Sequence, residues 1–390
     1  MVHILIAYKQ FPAPSVGHAG GESLFRLMEA LYRRGHRLTL VARIADDERK
    51  HIAAVAAICE RVYTVTHHRS LPGPRTWALL RSYFSLRAEI QRVIRREAPD
   101  FVHVETLQTA LVAWGLRRPP ATFRTQDVNW YLAEQRAAYL TGFRHQLARL
   151  ERTVFRWLEP HLCRHYDLTL VVSEGDRRLL APVCDGPLIM PLTPAVRPTG
   201  ADPAVPGTTN LVFVGAMSRD HNVAGVTWFL DQVWERVASA CPQARFYVVG
   251  GSPPPILIDR ADGQRVFVTG FVEDLAGWYA AATIFVSPLL VAGGLLQKVL
   301  DALAMGKPVV ATSVCNHGIG ATPGRHLLIA DQPDAFADAV VTLLADPEAR
   351  SRIGAAGQAF VADRYDLEAA VDRWETEIIA MIGGDHRPIP

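Results

Sequence analysis

Residues 291–312 read VAGGLLQKVLDALAMGKPVVAT, and this stretch decides the fold. The strand-like run TIFVSP at 283–288 precedes it, a glycine pair opens an apolar helix, and a second run of β-formers follows Pro308. Strands and helices that alternate in this way are typical of parallel α/β sheets, in which ligands bind beyond the carboxyl ends of the strands. The stretch therefore predicts both a parallel sheet and a ligand site at the start of its helix.

The residue types at this helix start suit a phosphate group. Gly293 and Gly294 carry no Cβ, so an anion can approach the backbone closely. The amides of Gly294, Leu295 and Leu296 would bind that anion at the positive end of the helix dipole. Lys298 adds a full charge, and Asp301 lies on the same helix face, where it suits ribose hydroxyls. Taken alone, a glycine-rich loop before a core helix, with a solvated Lys298–Asp301 pair, is the simpler explanation.

Strand-like and helix-like segments alternate along all 390 residues. This pattern predicts an α/β protein with two doubly wound, Rossmann-like sheets in tandem. A proline-rich segment between the two halves predicts extended chain rather than helix. We therefore divide the chain into a first domain at 1–190, a linker at 191–206, a second domain at 207–365 and a C-terminal helix at 366–390 that crosses back to the first domain.

Charge and cysteine content limit the possible classes of protein. Residues 1–190 hold 27 Lys+Arg and 18 Asp+Glu, a net +9, whereas the remainder holds 14 and 21, a net −7. This asymmetry indicates different ligands for the two halves. The five cysteines include no CxxC pair, so neither a disulfide framework nor a zinc site is predicted. No apolar run approaches the roughly 20 residues of a membrane span, and a cytoplasmic protein is expected.

Several stretches resemble one enzyme family. The stretch 293–312 resembles the donor-site signature of family 4 and related GT-B glycosyltransferases, which use nucleotide sugars. Further likenesses follow in the expected order, at GGESLFRLMEALYRRGHRLTLVA (20–42), FVGAMSRDHNVAGVTWFL (213–230) and VFVTGFVEDLAGWYAAATIFVSP (266–288). The resemblance covers essentially the whole chain and is greatest to bacterial polysaccharide-type sugar transferases. It implies GT-B architecture, in which an acceptor-binding domain and a donor-binding domain face each other across a cleft.

The resemblance implies donor-binding roles for residues of the second domain. Asp301 matches the signature acid that binds ribose, whereas Gly293 replaces the other signature acid, which contacts the sugar. Lys298, Gly294 and Leu295 fall at the diphosphate, together with Gly293 itself. The loop that holds the base corresponds to Gly270, Phe271 and Val272, for which a plain strand-to-helix turn is the alternative.

Two glycine-containing loops are implied to bind the diphosphate as well. The loop after the strand NLVFVG normally carries an Arg and a Lys for this purpose, but here these positions are Ala216 and His221. Arg219 is therefore the candidate cation, with a solvated turn residue as the alternative. Gly20 and Gly21 match the family's glycine loop, which closes over the diphosphate from the opposite side.

The catalytic candidates lie in the first domain. The stretch FVHVETLQ at 101–108 resembles the strand end that often reads His-x-His in this family. A retaining transfer, which the resemblance implies, needs a group that stabilises positive charge near the sugar or accepts a proton. Glu105 and Asp127 are the candidate carboxylates. His103 ranks third, because a lone histidine in a strand is more often structural.

Residues 75–97, RTWALLRSYFSLRAEIQRVIRRE, interleave arginines with aromatic residues. Such a segment can lie on an anionic membrane surface. The alternative is a solvated helix face. Peripheral contact with a membrane is therefore predicted here. Binding to nucleic acid is not, because no recognition motif accompanies the modest positive charge.

The predicted activity is a metal-independent, retaining transfer of a sugar from a nucleotide-diphosphate sugar, with UDP as the expected nucleotide. The acceptor is expected to be a glycan or a lipid-linked molecule, and no cofactor is predicted. Because Gly293 replaces an acid, a second hypothesis is a catalytically weak homologue that serves as a nucleotide-binding or partner subunit. A nucleotide-sugar epimerase is a third.

Overall fold

The computed structural model describes residues 1–14, 19–67, 75–184, 188–190, 205 and 209–384. The chain divides into two compact units, of which the first comprises Met1–Leu192 with Leu367–Pro390 and the second Thr193–Asp366. The predicted linker at 191–206 lies outside the described residues except for Val205. Within the described ranges, none of the helices combines the length and the apolar character needed to cross a membrane.

The first unit contains a seven-stranded sheet in the order β3-β2-β1-β4-β5-β6-β7, and every pair of neighbouring strands is parallel. Its strands are β1 (His3–Tyr8), β2 (Arg37–Ile44), β3 (Arg61–Thr66), β4 (Phe101–Glu105), β5 (Ala121–Thr125), β6 (Leu168–Val171) and β7 (Leu188–Ile189). Its helices are α1 (Ala19–Arg33), α2 (Ile52–Ala56), α3 (Arg75–Glu97), α4 (Leu107–Ala113), α5 (Asn129–Tyr139), α6 (Gly142–His165) and α7 (Glu174–Leu180), with a 3-10 helix at Asp46–His51.

The second unit contains a six-stranded parallel sheet in the order β10-β9-β8-β11-β12-β13. Its strands are β8 (Asn210–Val214), β9 (Arg245–Val249), β10 (Val266–Gly270), β11 (Ile284–Ser287), β12 (Val309–Ala311) and β13 (Leu328–Ile329). Its helices are α8 (Asp220–Gln232), α9 (Trp234–Ala240), α10 (Pro255–Ile258), α11 (Leu275–Ala281), α12 (Gln297–Ala304), α13 (Ser313–Asn316), α14 (Pro333–Ala345) and α15 (Pro347–Arg364). The last helix of the chain is α16 (Leu367–Gly383).

Both sheets reverse their strand order at one point, between β1 and β4 in the first unit and between β8 and β11 in the second. This is the doubly wound arrangement, and its ligand crevice lies outside the carboxyl ends of the strands at the reversal. Tyr8, the last residue of β1, pairs with Ala42 on one side and Glu105 on the other, so Glu105 lies at that edge. The prediction of two tandem doubly wound sheets is confirmed.

Helix α16 completes the core of the first unit. Its buried side chains Ala370, Val371, Trp374 and Ile378 pack with residues of β1, β2 and α1 in one hydrophobic cluster. Exposed ion pairs surround this contact, for example between Arg34 and Glu368 (2.6 Å). Ion pairs at the surface contribute about 0–1 kcal/mol, so burial of the apolar face is what holds the helix in place.

Replacing Trp374 by alanine is expected to lower the free energy of unfolding of the first unit by about 3–5 kcal/mol, because a fully buried indole leaves a cavity. Trp157→Ala is the matched control, since that indole is 60% exposed and its loss should change stability by no more than about 0.5 kcal/mol. Urea unfolding, with hydrogen exchange of β1 and β4 as the local probe, measures both effects. Equal losses for the two variants would contradict the packing described for α16.

Candidate functional site

The carboxyl edge of the second sheet brings two backbone segments into direct contact. The amide of Gly215, which follows β8, donates to the carbonyl of Val249 at the end of β9 (2.9 Å). Gly250 has a φ of +152°, and a Cβ there would lie 1.8 Å from the Gly215 carbonyl oxygen. Only glycine fits at this position, so the loops after β8 and β9 meet without intervening side chains.

The helix after β11 starts later than the sequence suggested. Helix α12 begins at Gln297 with Leu296 as its N-cap, and the Val299 amide donates to the Leu296 carbonyl (3.0 Å). Gly294 has a φ of +57°, a left-handed conformation that an α-helix excludes. The expectation that the helix begins near Gly294 is therefore wrong. Gly294 and Leu295, like Gly293, belong to the preceding loop, and the helix-start amides are those that follow Leu296.

Lys298, in the first turn of α12, points towards the end of β8. Its Nζ donates to Oδ1 of Asn222 (2.6 Å) and lies 4.5 Å from the centroid of the Phe213 ring. A Cβ on Gly215 would be 2.7 Å from this amine. In the part of the chain that the structure describes, no carboxylate forms an ion pair with Lys298. Burial lowers the pKa of Lys298 to about 7, because the charged form loses water without gaining a counterion.

Two further basic groups lie near Lys298. Arg219 is the exposed N-cap of α8, and His221 follows in its first turn. Desolvation, followed by the positive charges of Lys298 and Arg219, lowers the pKa of His221 to about 4. Lys298 and Arg219, the two cations expected at the diphosphate, thus both lie close enough to His221 to lower its pKa.

Asp301 lies one turn further along α12 and is buried. Its Oδ1 accepts a hydrogen bond from Nε2 of Gln297 (2.9 Å). Lys298 instead donates to Asn222, so the two residues do not form the solvated pair that the sequence left open. Gly293 is partly buried in the loop before the helix and offers no side chain to a ligand.

The loop predicted to hold the base lies at the same edge of the sheet. Gly270 ends β10 with a φ of +74°, and its carbonyl accepts from the Gly250 amide (3.1 Å). Phe271 is 78% exposed, and a Cβ on Gly251 would be 3.6 Å from the Cβ of Phe271. Together with Val272, these residues form an open loop beside the contact between Gly215 and Gly250.

Sequence reasoning missed Asn222. The side chain is buried, with Nδ2 donating to the Ala216 carbonyl (2.8 Å) while Oδ1 accepts from Lys298. One amide group thus fixes both the loop after β8 and the lysine of α12. Its position next to His221, within the stretch 213–230 that resembles the family, could have identified Asn222 from the sequence.

A second group of polar residues lies at the carboxyl edge of the first sheet, around the fully buried Glu105. Nε of Arg124 donates to both carboxylate oxygens (3.0 and 2.9 Å), and Nε2 of Gln126 donates to Oε1 (2.7 Å). His103 Nε2 lies 3.1 Å from Oε2. Burial opposes ionisation, but the Arg124 charge and these hydrogen bonds hold the pKa of Glu105 below its ordinary range. Its catalytic role stays a prediction.

The start of α1 lies beside this group. A Cβ on Gly20 would be 2.5 Å from Oε1 of Gln126, and Nη2 of Arg124 reaches the hydroxyl of Ser23 (3.4 Å). Gly21, the next residue of the first helical turn, is buried. The structure therefore brings Gly20 and Glu105 together through Gln126.

His103 is held inside the first unit. Nδ1 lies 2.9 Å from the Thr122 hydroxyl, and the ring makes an edge contact with Trp374 of α16, with 4.9 Å between ring centroids. Val102 and Val104 belong to the core on the other face of the sheet. Burial lowers the pKa of His103 despite the neighbouring Glu105.

Asp127 belongs to another group of carboxylates. After desolvation, the Asp127 charge contributes to raising the pKa values of Glu159 and Asp176, the latter to about 7. Glu159 caps α5 by accepting from the amides of Asn129 (2.8 Å) and Trp130 (3.2 Å). The hydrogen bonds of Glu105 described above are formed with Arg124, Gln126 and His103. Among the described residues, no three His, Cys, Asp or Glu side chains are placed to hold a metal ion.

We expect Glu105→Gln to lower the free energy of unfolding by about 3–5 kcal/mol, because Arg124 keeps its buried charge and loses its partner. The double variant Glu105→Gln with Arg124→Met should recover much of this loss. The pKa of Glu105 in the folded protein lies below the ordinary value of 4.5. The stabilisation by ionised Glu105 is therefore fully present above pH 4.5 and is lost as the pH falls through the pKa of the folded state. Urea unfolding between pH 3 and 8 tests this, and a double variant no more stable than Glu105→Gln would contradict it.

Two family models match most of the chain. The model described as Glycosyltransferase Family 4 matches residues 20–188, in the first unit. The model described as Glycosyl transferases group 1 matches residues 208–346, in the second. The two matches thus fall on the halves that the sheets define.

Curated relatives match over part of their length. A Klebsiella pneumoniae protein described as an uncharacterized 44.6 kDa protein in the cps region is 24% identical over 228 residues, 55% of this chain and 57% of that protein. A GDP-mannose-dependent monoacylated alpha-(1-6)-phosphatidylinositol monomannoside mannosyltransferase of Corynebacterium glutamicum is 30% identical over 156 residues, 37% of this chain and 41% of that protein. The chain therefore matches about half the length of these relatives.

Solved structures have the same fold at low sequence identity. Sucrose-phosphate synthase from Thermosynechococcus elongatus gives a TM-score of 0.78 at 17% identity, over 98% of this chain and 100% of that one. Anabaena HepE in complex with UDP gives 0.65 at 14% identity, over 97% and 100%. These likenesses confirm the predicted GT-B fold. Considered with the two family models, they show that the chain belongs to the family 4-like glycosyltransferases of the GT-B fold.

Proposed function

We propose that the chain transfers a sugar from a nucleotide-diphosphate sugar to the hydroxyl of an acceptor. The observation that carries this proposal is the partly buried amine of Lys298 at the β8–β11 reversal, which forms no ion pair with a carboxylate of the described residues. A buried charge of this kind is costly unless an anion neutralises it. The diphosphate of a nucleotide sugar supplies that anion at the edge where doubly wound sheets bind ligands.

The same cations act on the leaving group during transfer. The bond between the anomeric carbon and a diphosphate oxygen breaks, the acceptor oxygen bonds to that carbon, and negative charge grows on the departing diphosphate. Lys298, Arg219 and the amides at the start of α12 stabilise this charge, and such stabilisation requires no metal ion. Lys298 and the α12 amides are fixed before substrate binds, so little reorganisation of these groups accompanies the reaction.

For the nucleotide, we propose that the exposed ring and backbone of the 270–272 loop contact the base and that Asp301 accepts hydrogen bonds from ribose. Gln297 already orients the Asp301 carboxylate (2.9 Å). We propose uridine as the nucleoside. Anabaena HepE, a protein of the same fold, is described in complex with UDP, whereas the mannosyltransferase relative is named for GDP-mannose.

For the acceptor, we propose a glycan or lipid-linked molecule that binds to the first unit, and a transfer with retention. The K. pneumoniae relative is described as lying in a cps region, and the C. glutamicum relative is named for a phosphatidylinositol mannoside. Within this unit, Glu105 orients Arg124 and Gln126, and His103 contacts Glu105. Nη1 of Arg124 is buried and has no hydrogen-bond partner in the described structure, which leaves one donor for a substrate oxygen.

The proton of the acceptor hydroxyl must leave as the new bond forms. The departing phosphate and the Asp127 carboxylate are the proposed acceptors, because Asp127 is only partly buried. Glu105 is proposed as a positioning residue, since its oxygens already accept hydrogen bonds from Arg124 and Gln126.

The absent acid at Gly293 favours a second candidate function. A chain without this sugar contact would bind the nucleotide and serve as a weak or inactive partner subunit. A nucleotide-sugar epimerase is the third candidate, and a Listeria monocytogenes protein described as a putative UDP-N-acetylglucosamine 2-epimerase has the same fold (TM-score 0.63, 14% identity). Hydrolysis of a donor in the absence of acceptor distinguishes a transferase from a protein that only binds the nucleotide. Interconversion of donor sugars identifies an epimerase.

Titration of the full chain with UDP, GDP and ADP should reveal binding of one nucleotide, with UDP expected. Lys298→Met keeps the alkyl stem against Phe213 but removes the charge, so it should weaken binding roughly 10- to 100-fold, as for one charge-assisted hydrogen bond. Lys307→Met is the matched control, because the Lys307 amine is already satisfied by the Ala280 carbonyl (2.7 Å) and should not affect affinity. Isothermal titration calorimetry measures both. Absence of binding by all three nucleotides at millimolar concentration would rule out the transferase.

Binding of the nucleotide should also be coupled to proton uptake. The free Lys298 has a pKa of about 7, and a diphosphate favours its charged form, so the pKa rises on binding. Above about pH 7, the complex should take up a fraction of a proton until the pH passes the raised pKa of Lys298 in the complex, and below about pH 6 this contribution should disappear. Calorimetry in buffers of different ionisation enthalpy gives the number of protons taken up for each nucleotide bound. Uptake that persists unchanged in Lys298→Met would assign the proton to another group.

A further inference from the structure

Helix α6 exposes a continuous apolar stripe. Phe143, Leu147, Leu150, Val154 and Trp157 are each between 46% and 82% exposed. Their spacing alternates between four and three residues, which places them on one face of the helix. Soluble proteins rarely expose so many large apolar side chains contiguously, and such a patch usually marks an interaction surface.

The opposite face of α6 holds the helix to the first unit. Ala148, Leu162 and Cys163 are buried, and Phe155 and Leu158 pack against the hydrophobic cluster under β4 and β5. The fold therefore fixes α6 through one face and does not use the other. The stripe needs a separate explanation.

The exposed charges of α6 are all of one sign. The exposed side chains of this helix include Arg144, Arg149, Arg156 and Arg164, and none is acidic. Of its two acids, Glu151 is partly buried and is neutralised by Arg136 (2.6 Å), and Glu159 is buried. Aromatic and aliphatic side chains flanked by arginines are the features of helices that lie in the plane of a membrane interface.

We propose that the exposed face of α6 docks on an anionic lipid bilayer. The five apolar side chains enter the boundary between headgroups and acyl chains, and the flanking arginines contact lipid phosphates. A second copy of the chain fits this face less well, because pairing two such helices would bring arginines against arginines. The membrane contact predicted at 75–97 stays a prediction, and Phe84 is the one large apolar side chain exposed in the part of α3 whose side chains are described.

Flotation of the full chain with vesicles tests the proposal independently of any enzymatic activity. The protein should float with vesicles of phosphatidylcholine containing about 30% phosphatidylglycerol, and only weakly with phosphatidylcholine alone. Leu150→Glu with Trp157→Glu should reduce binding at least tenfold. Ile379→Glu with Ile382→Glu adds the same charge at two exposed apolar positions of α16 and should leave binding unchanged.

The arginines are tested separately. Arg144→Gln and Arg149→Gln should each weaken binding about fivefold at low salt and should reduce its salt dependence. If a glutamate variant fails to fold by circular dichroism, Leu150→Gln with Trp157→Gln makes the same test with a smaller change. No flotation of the wild-type chain, or equal losses with the α16 control, would overturn the proposal. A concentration-dependent dimer seen by light scattering and abolished by the stripe variants would overturn it in favour of a second copy.

Discussion

The partly buried amine of Lys298 is the constraint on which the second unit's site depends. Its position follows from three features: the glycine at 215, the late start of α12 and the side chain of Asn222, which is buried against the loop after β8. An amine that has lost much of its water, and that no carboxylate of the described residues neutralises, binds an anion more favourably than an exposed lysine does.

In the first unit, by contrast, the buried charge is paired within the protein. Glu105 is buried with its counterion Arg124 and with hydrogen bonds from Gln126, so its charge is largely satisfied within the protein. Such a group is rigid, and rigidity suits a residue that orients its neighbours. The two halves of the chain thus contain two different kinds of charged site.

The fold was largely predictable, because alternating apolar strands and helices with one parallel order leave few topologies. The candidate donor residues could be predicted as positions in a motif but not as geometry. The helix start was placed three residues early, since the left-handed backbone of Gly294 is a consequence of the surrounding loops and not of its sequence pattern. Asn222 was missed, because contacts between distant segments decide which polar side chains meet. The stripe of α6 was visible as periodicity, but only burial distinguishes an exposed apolar face from a core face.

The return of α16 to the first unit has a consequence for synthesis of the chain. Trp374 fills a core otherwise built from the first 190 residues and contacts His103, so that core stays incomplete until the second unit has left the ribosome. The second unit can complete its own sheet earlier, because its strands and helices are contiguous in sequence. Contacts between segments so far apart form slowly. The half that begins first during translation is therefore the half that matures last, and a truncated chain would carry an open apolar groove where α16 belongs.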